Sequence, residues 1–329
     1  MLQGVKQRMT GVAPLTLAWA ALLGNGLVIL QGAFVRATGA GAGCGSHWPT
    51  CNGSVIPLTG STETLIEFSH RVLSFLVLLL GVWLLARAAA LRKRNSRLFV
   101  AALASFVFLI IEALLGGATV LLELTGDTVS TARGLMVAFH LVNSLLLIGA
   151  LTLTVVYARA KAPGPLRIAQ QGTLSGVLLI GVLGMLVLMF SGGIAALGNT
   201  MFPSESLAAG LAADFDPASH PLIRLRILHP LIAITVGIYL FLSLGLSRFL
   251  KPVPEAKSLV QALFAVYLLQ LVIGAVNLAL LAPIIVQLLH LATAVVAFAL
   301  LSAVSATTLG GTATPRRYAP GGFKAVKEG

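Results

Sequence analysis

"EFSHRVLSFLVLLLGVWLLARAAALRKR" occupies residues 67–94. The apolar run at its heart, 68–90, matches the roughly 20 residues that a helix needs to cross a bilayer. In lipid the backbone has to satisfy its own hydrogen bonds, so a run of this length reads as a helix. His70 sits near one end of the run, and Arg92, Lys93 and Arg94 crowd just past the other. Seven further runs share this length and character, at about 12–34, 98–122, 134–158, 172–198, 225–247, 259–281 and 285–309.

The composition agrees with eight spans. The chain of 329 residues is 57% hydrophobic and 10% charged, with a mean hydropathy of +0.97. Soluble domains carry about 25% charged residues. The net charge of +12 invites a nucleic-acid reading. The basic residues, however, form short clusters between apolar runs rather than a groove with interleaved aromatics, so no nucleic-acid partner is expected. The first run follows a charged start and resembles a signal peptide. At 12–34 it is long enough to span, and it reads as a retained helix.

Orientation follows from Lys and Arg. Seventeen of the 22, from Lys6 and Arg8 to Lys324 and Lys327, fall on the side of the two termini. The other side has Arg36, Arg71, Arg133, Arg224 and Arg226. Both termini are therefore expected in the cytoplasm of a multi-pass plasma-membrane protein.

The loop "RATGAGAGCGSHWPTCNGSVIP", residues 36–57, then faces outward and holds both cysteines. Disulfides persist outside the cytosol, so a Cys44–Cys51 bridge is expected. Two free thiols are the alternative. A metal site with His47 has the wrong spacing for structural zinc.

Four of the six histidines lie inside apolar runs: His70, His140, His229 and His290. Each falls near the start of an even-numbered span, and every even span starts on the outer side. At about 1.5 Å per residue all four lie at similar depth, one to two turns in. Ionisable residues in membranes are costly and tend to be functional, and imidazole is a common axial ligand of haem iron. No CxxCH occurs, so any haem is non-covalent.

An internal repeat pairs these histidines. "IEALLGGATV" aligns with "LQLVIGAVNL", each with a polar residue (Glu112 or Gln270) four positions before a glycine (Gly116 or Gly274). "LQGAFVRATG" loosely matches "LMFSGGIAALG". The expectation is an all-α integral membrane protein, eight transmembrane helices as two pseudo-repeated four-helix bundles, 1–166 and 167–329. His70 pairs with His140 in the first and His229 with His290 in the second.

The halves differ. "EFSHR" places Glu67 three residues before His70, on one helix face, whereas "RILHP" has no acid there. Arg71, Arg133, Arg224 and Arg226 lie near the outer ends of histidine-bearing spans and are candidates for haem propionates. For any one of them, anchoring a helix end is the alternative. Glu112, mid-span, reads as a protonated acid in a helix–helix hydrogen bond.

These motifs together resemble the haem A synthases. The resemblance rests on "VRATGAGAGCGSHWPTCNGSVIP", "EFSHR", "LLGGATV", "FHLVNSLLL", "LHPLIAI" and "LLHLATA", in that order over nearly all eight spans. It implies oxidation of a methyl group of haem O to a formyl group, giving haem A for a terminal cytochrome oxidase. It implies haem O as substrate between His70 and His140, and a haem B cofactor held through His229 and His290. Glu67 matches the family's functional acid, and Cys44 and Cys51 its outer-loop pair. Implied partners are haem O synthase and a membrane or soluble electron donor, with a homo-oligomer left open. Two other classes compete: a two-haem membrane cytochrome b that passes electrons, and a haem carrier or assembly chaperone. Histidines matched in depth, and an acid beside one pair only, favour the enzyme.

Overall fold

The structure is a computed structural model. It describes residues 13–57, 60–164, 166, 171–250 and 252–310, apart from the side chains at 249 and 250. Among these it is all helical. Eight helical segments are long and apolar enough to cross a membrane, which makes the chain a multi-pass membrane protein. In chain order the helices are α1 Pro14–Ala37, α2 Thr62–Ala90, α3 Ser96–Leu121, α4 Thr131–Ala158 and α5 Thr173–Met201, then the short α6 Leu207–Phe215 and α7 Pro221–Arg226, then α8 Leu228–Leu250, α9 Lys257–Ala279 and α10 Ile284–Gly310.

The helix ends depart from the apolar runs where capping extends them. The second span begins at Thr62, six residues before its apolar run, because Ser61 accepts a hydrogen bond from the Thr64 N–H at 3.3 Å. That satisfies an orphan donor of the first turn. Asn95 caps α3 and Ser130 caps α4 in the same way. The sixth span is built from two pieces, α7 and α8.

Two large apolar cores run through the bundle. One joins residues of α1–α4, among them Leu17, Val77, Leu109 and Leu151, with Ala303 and Ala306 of α10. The other joins α5 and α8–α10, among them Met185, Leu240, Leu263 and Leu301, with Leu145 of α4. α4 is thus shared by both. It is also the most enclosed helix: 72% of its apolar window is buried, against 22–44% for the other spans. Large apolar side chains elsewhere face outward, such as Leu79, Val187 and Leu242, as a lipid-facing surface requires.

A third, smaller cluster lies where α4 crosses α5 and joins Ala138, Ile194 and Leu197 with Leu222 of α7. A Cβ placed on Gly193 would lie 3.0 Å from the Ala138 Cα. Only glycine lets the backbones approach so closely, the general device of membrane helix packing. Phe139 and Phe190 meet edge to face beside this crossing, with centroids 5.2 Å apart. Because the obstacle is backbone, Gly193→Ala is expected to cost about 1–3 kcal/mol of overpacking. A lowered thermal midpoint in detergent checks this, and an unchanged one would refute it.

Candidate functional site

Each of the four intramembrane histidines lies against a glycine of the preceding spanning helix. The His70 ring packs on Gly32, where an added Cβ would come within 3.1 Å of Cε1. His140 packs on Gly116 at 3.4 Å, His229 on Gly192 at 2.9 Å and His290 on Gly274 at 2.9 Å, by the same measure. The missing side chain leaves a seat, and the imidazole fills it. The histidines are the ninth residue of α2, the tenth of α4, the ninth counted from the start of α7 and the seventh of α10. With a rise of 1.5 Å per residue that is roughly 9–14 Å in from the helix starts. They form one layer, somewhat deeper than the apolar runs alone indicate, because the helices begin earlier.

Three of the four rings have polar partners on the neighbouring helix. His140 Nε2 lies 3.0 Å from Glu112 Oε1. His290 Nε2 lies 3.2 Å from the Gln270 amide nitrogen. His229 Nδ1 lies 3.1 Å from Ser191 Oγ. The fourth, His70, has a buried Nδ1 without a partner, and the Oε1 of Gln31, next to its seat at Gly32, is buried and unpaired as well. The polar residue–x3–glycine pattern of α3 and α9 therefore builds the same arrangement twice: the polar residue bonds the ring and the glycine seats it. This is consistent with a repeated architecture.

Glu112 forms the helix–helix hydrogen bond expected of it, but with both oxygens accepting, as a carboxylate rather than the expected protonated acid. It accepts from Asn143 Nδ2 at 2.5 Å and from Ser144 Oγ as well as facing His140. The acid in direct contact with a layer histidine is thus Glu112. Glu67 is buried and turned to the cysteine loop: its Oε2 accepts from the Cys44 N–H at 2.8 Å and its Oε1 from Arg71 Nη2 at 2.5 Å.

That loop is fastened on two helices. Cys44 and Cys51 are disulfide-bonded, with an S–S distance of 2.02 Å. Gly39 turns the chain out of α1 with φ of 71°. Arg71 donates to the carbonyls of His47 at 2.7 Å and Thr50 at 2.6 Å. Thr64 Oγ1 donates to the Gly43 carbonyl at 2.7 Å. Trp48 lies on Gly117 of α3, where a Cβ would come within 2.8 Å of the indole. Gly117 adjoins Gly116, the seat of His140, so the loop stands at the mouth of the first histidine pair.

The other arginines have different surroundings. Arg226 pairs with Asp214 and donates to Asn199 Oδ1 at 3.2 Å and the Gly210 carbonyl at 3.1 Å. It therefore organises the connection from α5 to α7. Arg224 is exposed. Arg133 is buried and bonds the Thr128 carbonyl and Met201 Sδ. Arg36, which the sequence reading uses only for orientation, bonds Ala196 O at 2.8 Å, Thr200 Oγ1 at 2.5 Å and Gln287 Oε1 at 2.9 Å.

The second pair gives the clearest test of fit to a haem iron. The rings of His229 and His290 have centroids 6.1 Å apart. Two imidazoles that each bind one metal at about 2 Å bring their centroids to roughly 6 Å. The Ser191 contact occupies Nδ1 of His229 and leaves Nε2 to ligate, as outer hydrogen bonds to ligand histidines do. Imidazole nitrogens, glycine seats and buried unpaired Nδ1 atoms on His70 and His290 all suit porphyrin iron.

A multi-pass helical membrane protein with histidines paired in one layer is the class that fold and site define. The chain belongs to the COX15-CtaA family of cytochrome oxidase assembly proteins, whose family model matches residues 15–302. It is 46% identical over 278 residues to the "Protoheme IX farnesyltransferase" of Thermus thermophilus, a match that covers 83% of this chain and 45% of that protein. It is 44% identical over 108 residues to the "Heme A synthase" of Lysinibacillus sphaericus, 32% of this chain and 34% of that protein. The "Heme A synthase" of Bacillus licheniformis is 39% identical over 141 residues, 41% of this chain and 42% of that protein. The chain thus spans less than half the length of these relatives.

Proposed function

We propose that the chain is a haem A synthase, oxidising a methyl group of haem O to the formyl group of haem A. The observation that carries this reading is the layer of four glycine-seated histidines in two pairs, with a carboxylate, Glu112, bonded to a histidine of the first pair only. The equivalent residue of the second pair is Gln270, a neutral amide. Two ligand pairs so alike in build and unlike in charge suit one site for a substrate and one for a cofactor.

His229 and His290 would hold haem B, and His70 and His140 the substrate haem. Bound haem supplies the oxidising power toward a methyl C–H bond that no side chain has. The chain's own residues do the rest. Glu112 Oε1 accepts from His140 Nε2, fixing the tautomer and leaving the other ring nitrogen as a lone pair. Asn143 and Ser144 hold that carboxylate in place. Glu67 and Arg71 latch the Cys44–Cys51 loop, and Trp48 closes it against α3. Kept in place over the first site, the loop excludes water from the reacting methyl group. On the charge asymmetry of the sequence, this loop faces outward and the termini lie in the cytoplasm.

The farnesyltransferase name belongs to a protein of which the shared segment is 45%. A farnesylated haem is the class of substrate proposed here. One chain that unites such a segment with that name supports haem O synthase as a partner.

Pigment analysis tests the reading. The protein, expressed aerobically with a haem O source, is purified and its non-covalent haems are extracted. Haem A or its hydroxylated precursor is expected. Haem B alone, with haem O supplied, would point instead to an electron-transfer cytochrome.

A further inference from the structure

Of the outer-side arginines, half-buried Arg36 and buried Arg133 form no ion pair among the described residues, Asp127 acting on Arg133 only at longer range, and the two share one helix end. Arg36 bonds three neutral acceptors, two of them on the last turns of α5. Arg133 bonds a carbonyl and the Met201 sulfur, also at the end of α5. The charges of Arg36 and Arg133 interact. Among the described residues, ion pairs form at Arg71 with Glu67 and at Arg226 with Asp214, and no carboxylate lies within ion-pair distance of Arg36 or Arg133. Buried charges need partners, and the negative end of α5 offers only part of one.

The position of Arg36 indicates what completes the pair. Arg36 follows Gly32, the seat of His70, by four residues and so lies one turn beyond it on the same face. Its acceptor Ala196 follows Gly192, the seat of His229, by four. Its acceptor Gln287 precedes His290 by three. Arg133 precedes His140 by seven, two turns on the same face. The two guanidinium groups thus stand just beyond the imidazole layer, toward the cysteine-loop end, where the two halves join.

We propose that Arg36 and Arg133 form a dicarboxylate-binding site at the junction of the two halves, which takes the propionates of a porphyrin ligated in the layer below. The inference rests on the reading that the histidines ligate porphyrin iron. Arginine pairs carboxylates bidentately with a planar fork. The acceptors Ala196, Thr200 and Gln287 aim Arg36, so its side chain is ordered before ligand arrives. Since those acceptors lie on α5 and α10 while Arg36 ends α1, the carboxylate also ties the two halves together.

The test compares iron protoporphyrin IX with its dimethyl ester, whose propionates are uncharged. The haem-stripped full chain in detergent is titrated with each, followed by the Soret band. The wild type is expected to bind the free acid at least tenfold more tightly. Arg36→Gln and Arg133→Gln should each reduce that preference, the double variant should abolish it, and Arg36→Lys should restore part of it. Affinity for the ester should hardly move. A preference that survives in the double variant would overturn the proposal, as would equal weakening of both ligands, the signature of a merely structural role. An equal affinity of the wild type for the two would do the same while leaving histidine ligation intact. If the wild type binds neither porphyrin, the histidine reading falls and this site with it.

Discussion

Alanine at Gly192 or Gly274 is expected to strip haem from the second histidine pair while the first pair keeps its own. At both positions an added Cβ would lie 2.9 Å from the Cε1 of the imidazole proposed to ligate. That distance is too short for a carbon–carbon contact, and the ring cannot yield without leaving the seat that the proposed ligation needs. Overpacking of this kind costs about 1–3 kcal/mol, which corresponds to about 5–150-fold in affinity. The two effects should be alike, since each ring has one polar side-chain partner among the described residues, Gln270 for His290 and Ser191 for His229. Gly116→Ala is a graded control, because its Cβ would meet His140 at 3.4 Å, an ordinary contact. Extracted haem per chain and the low-spin absorbance give the readout. Full haem content in both the Gly192 and Gly274 variants would remove the seats from the account.

Glu67→Gln is expected to keep both haems yet lose conversion, by about a hundredfold or more. The carboxylate is buried and accepts from the Cys44 N–H and from Arg71 at once. An amide keeps a single acceptor oxygen and loses the charge. Arg71 would lose its ionic partner, and with it the geometry by which it holds the His47 and Thr50 carbonyls. Removing one member of a buried ion pair is the costly kind of change. The histidine seats lie on other residues, so haem content should hold. A displaced loop no longer excludes water from the first site, and a proton-transfer role of the acid itself is worth about 10²–10⁴ in rate. The measurement is the ratio of converted to unconverted haem in the extract. Conversion at the wild-type ratio would remove Glu67 from the mechanism, and loss of haem from the first pair would make it a folding residue instead.

Hydropathy made the eight spans legible, because a bilayer imposes a length that few other structures share. It misplaced the start of α2, since the first turn there is polar and held by Ser61 rather than by burial. The four histidines stood out through matched depth on alternate helices. Their seats did not. Gly116 and Gly274 were visible as aligned glycines, but sequence alone does not reveal which ring a glycine faces across a helix interface. The role of Ser191 is hidden from the sequence for the same reason. Glu67, prominent three residues from His70, is turned to the cysteine loop, while Glu112, which from sequence reads as a structural hydrogen bond, touches His140. Arg71 and Arg226 were grouped with Arg133 by position along their spans. Their local acids, Glu67 and Asp214, separate them from it in space. Arg36 was hidden in a charge count, because its partners are 160 and more residues away in the chain.

The central claim is that this chain converts haem O, and reconstitution tests it most directly. The purified protein is loaded with haem B and haem O, supplied with reductant and air, and its haems are extracted and weighed over time. We expect haem O to decline as a hydroxylated haem and then haem A appear, with haem B unchanged. Haem O recovered intact, with both histidine pairs occupied, would contradict the account.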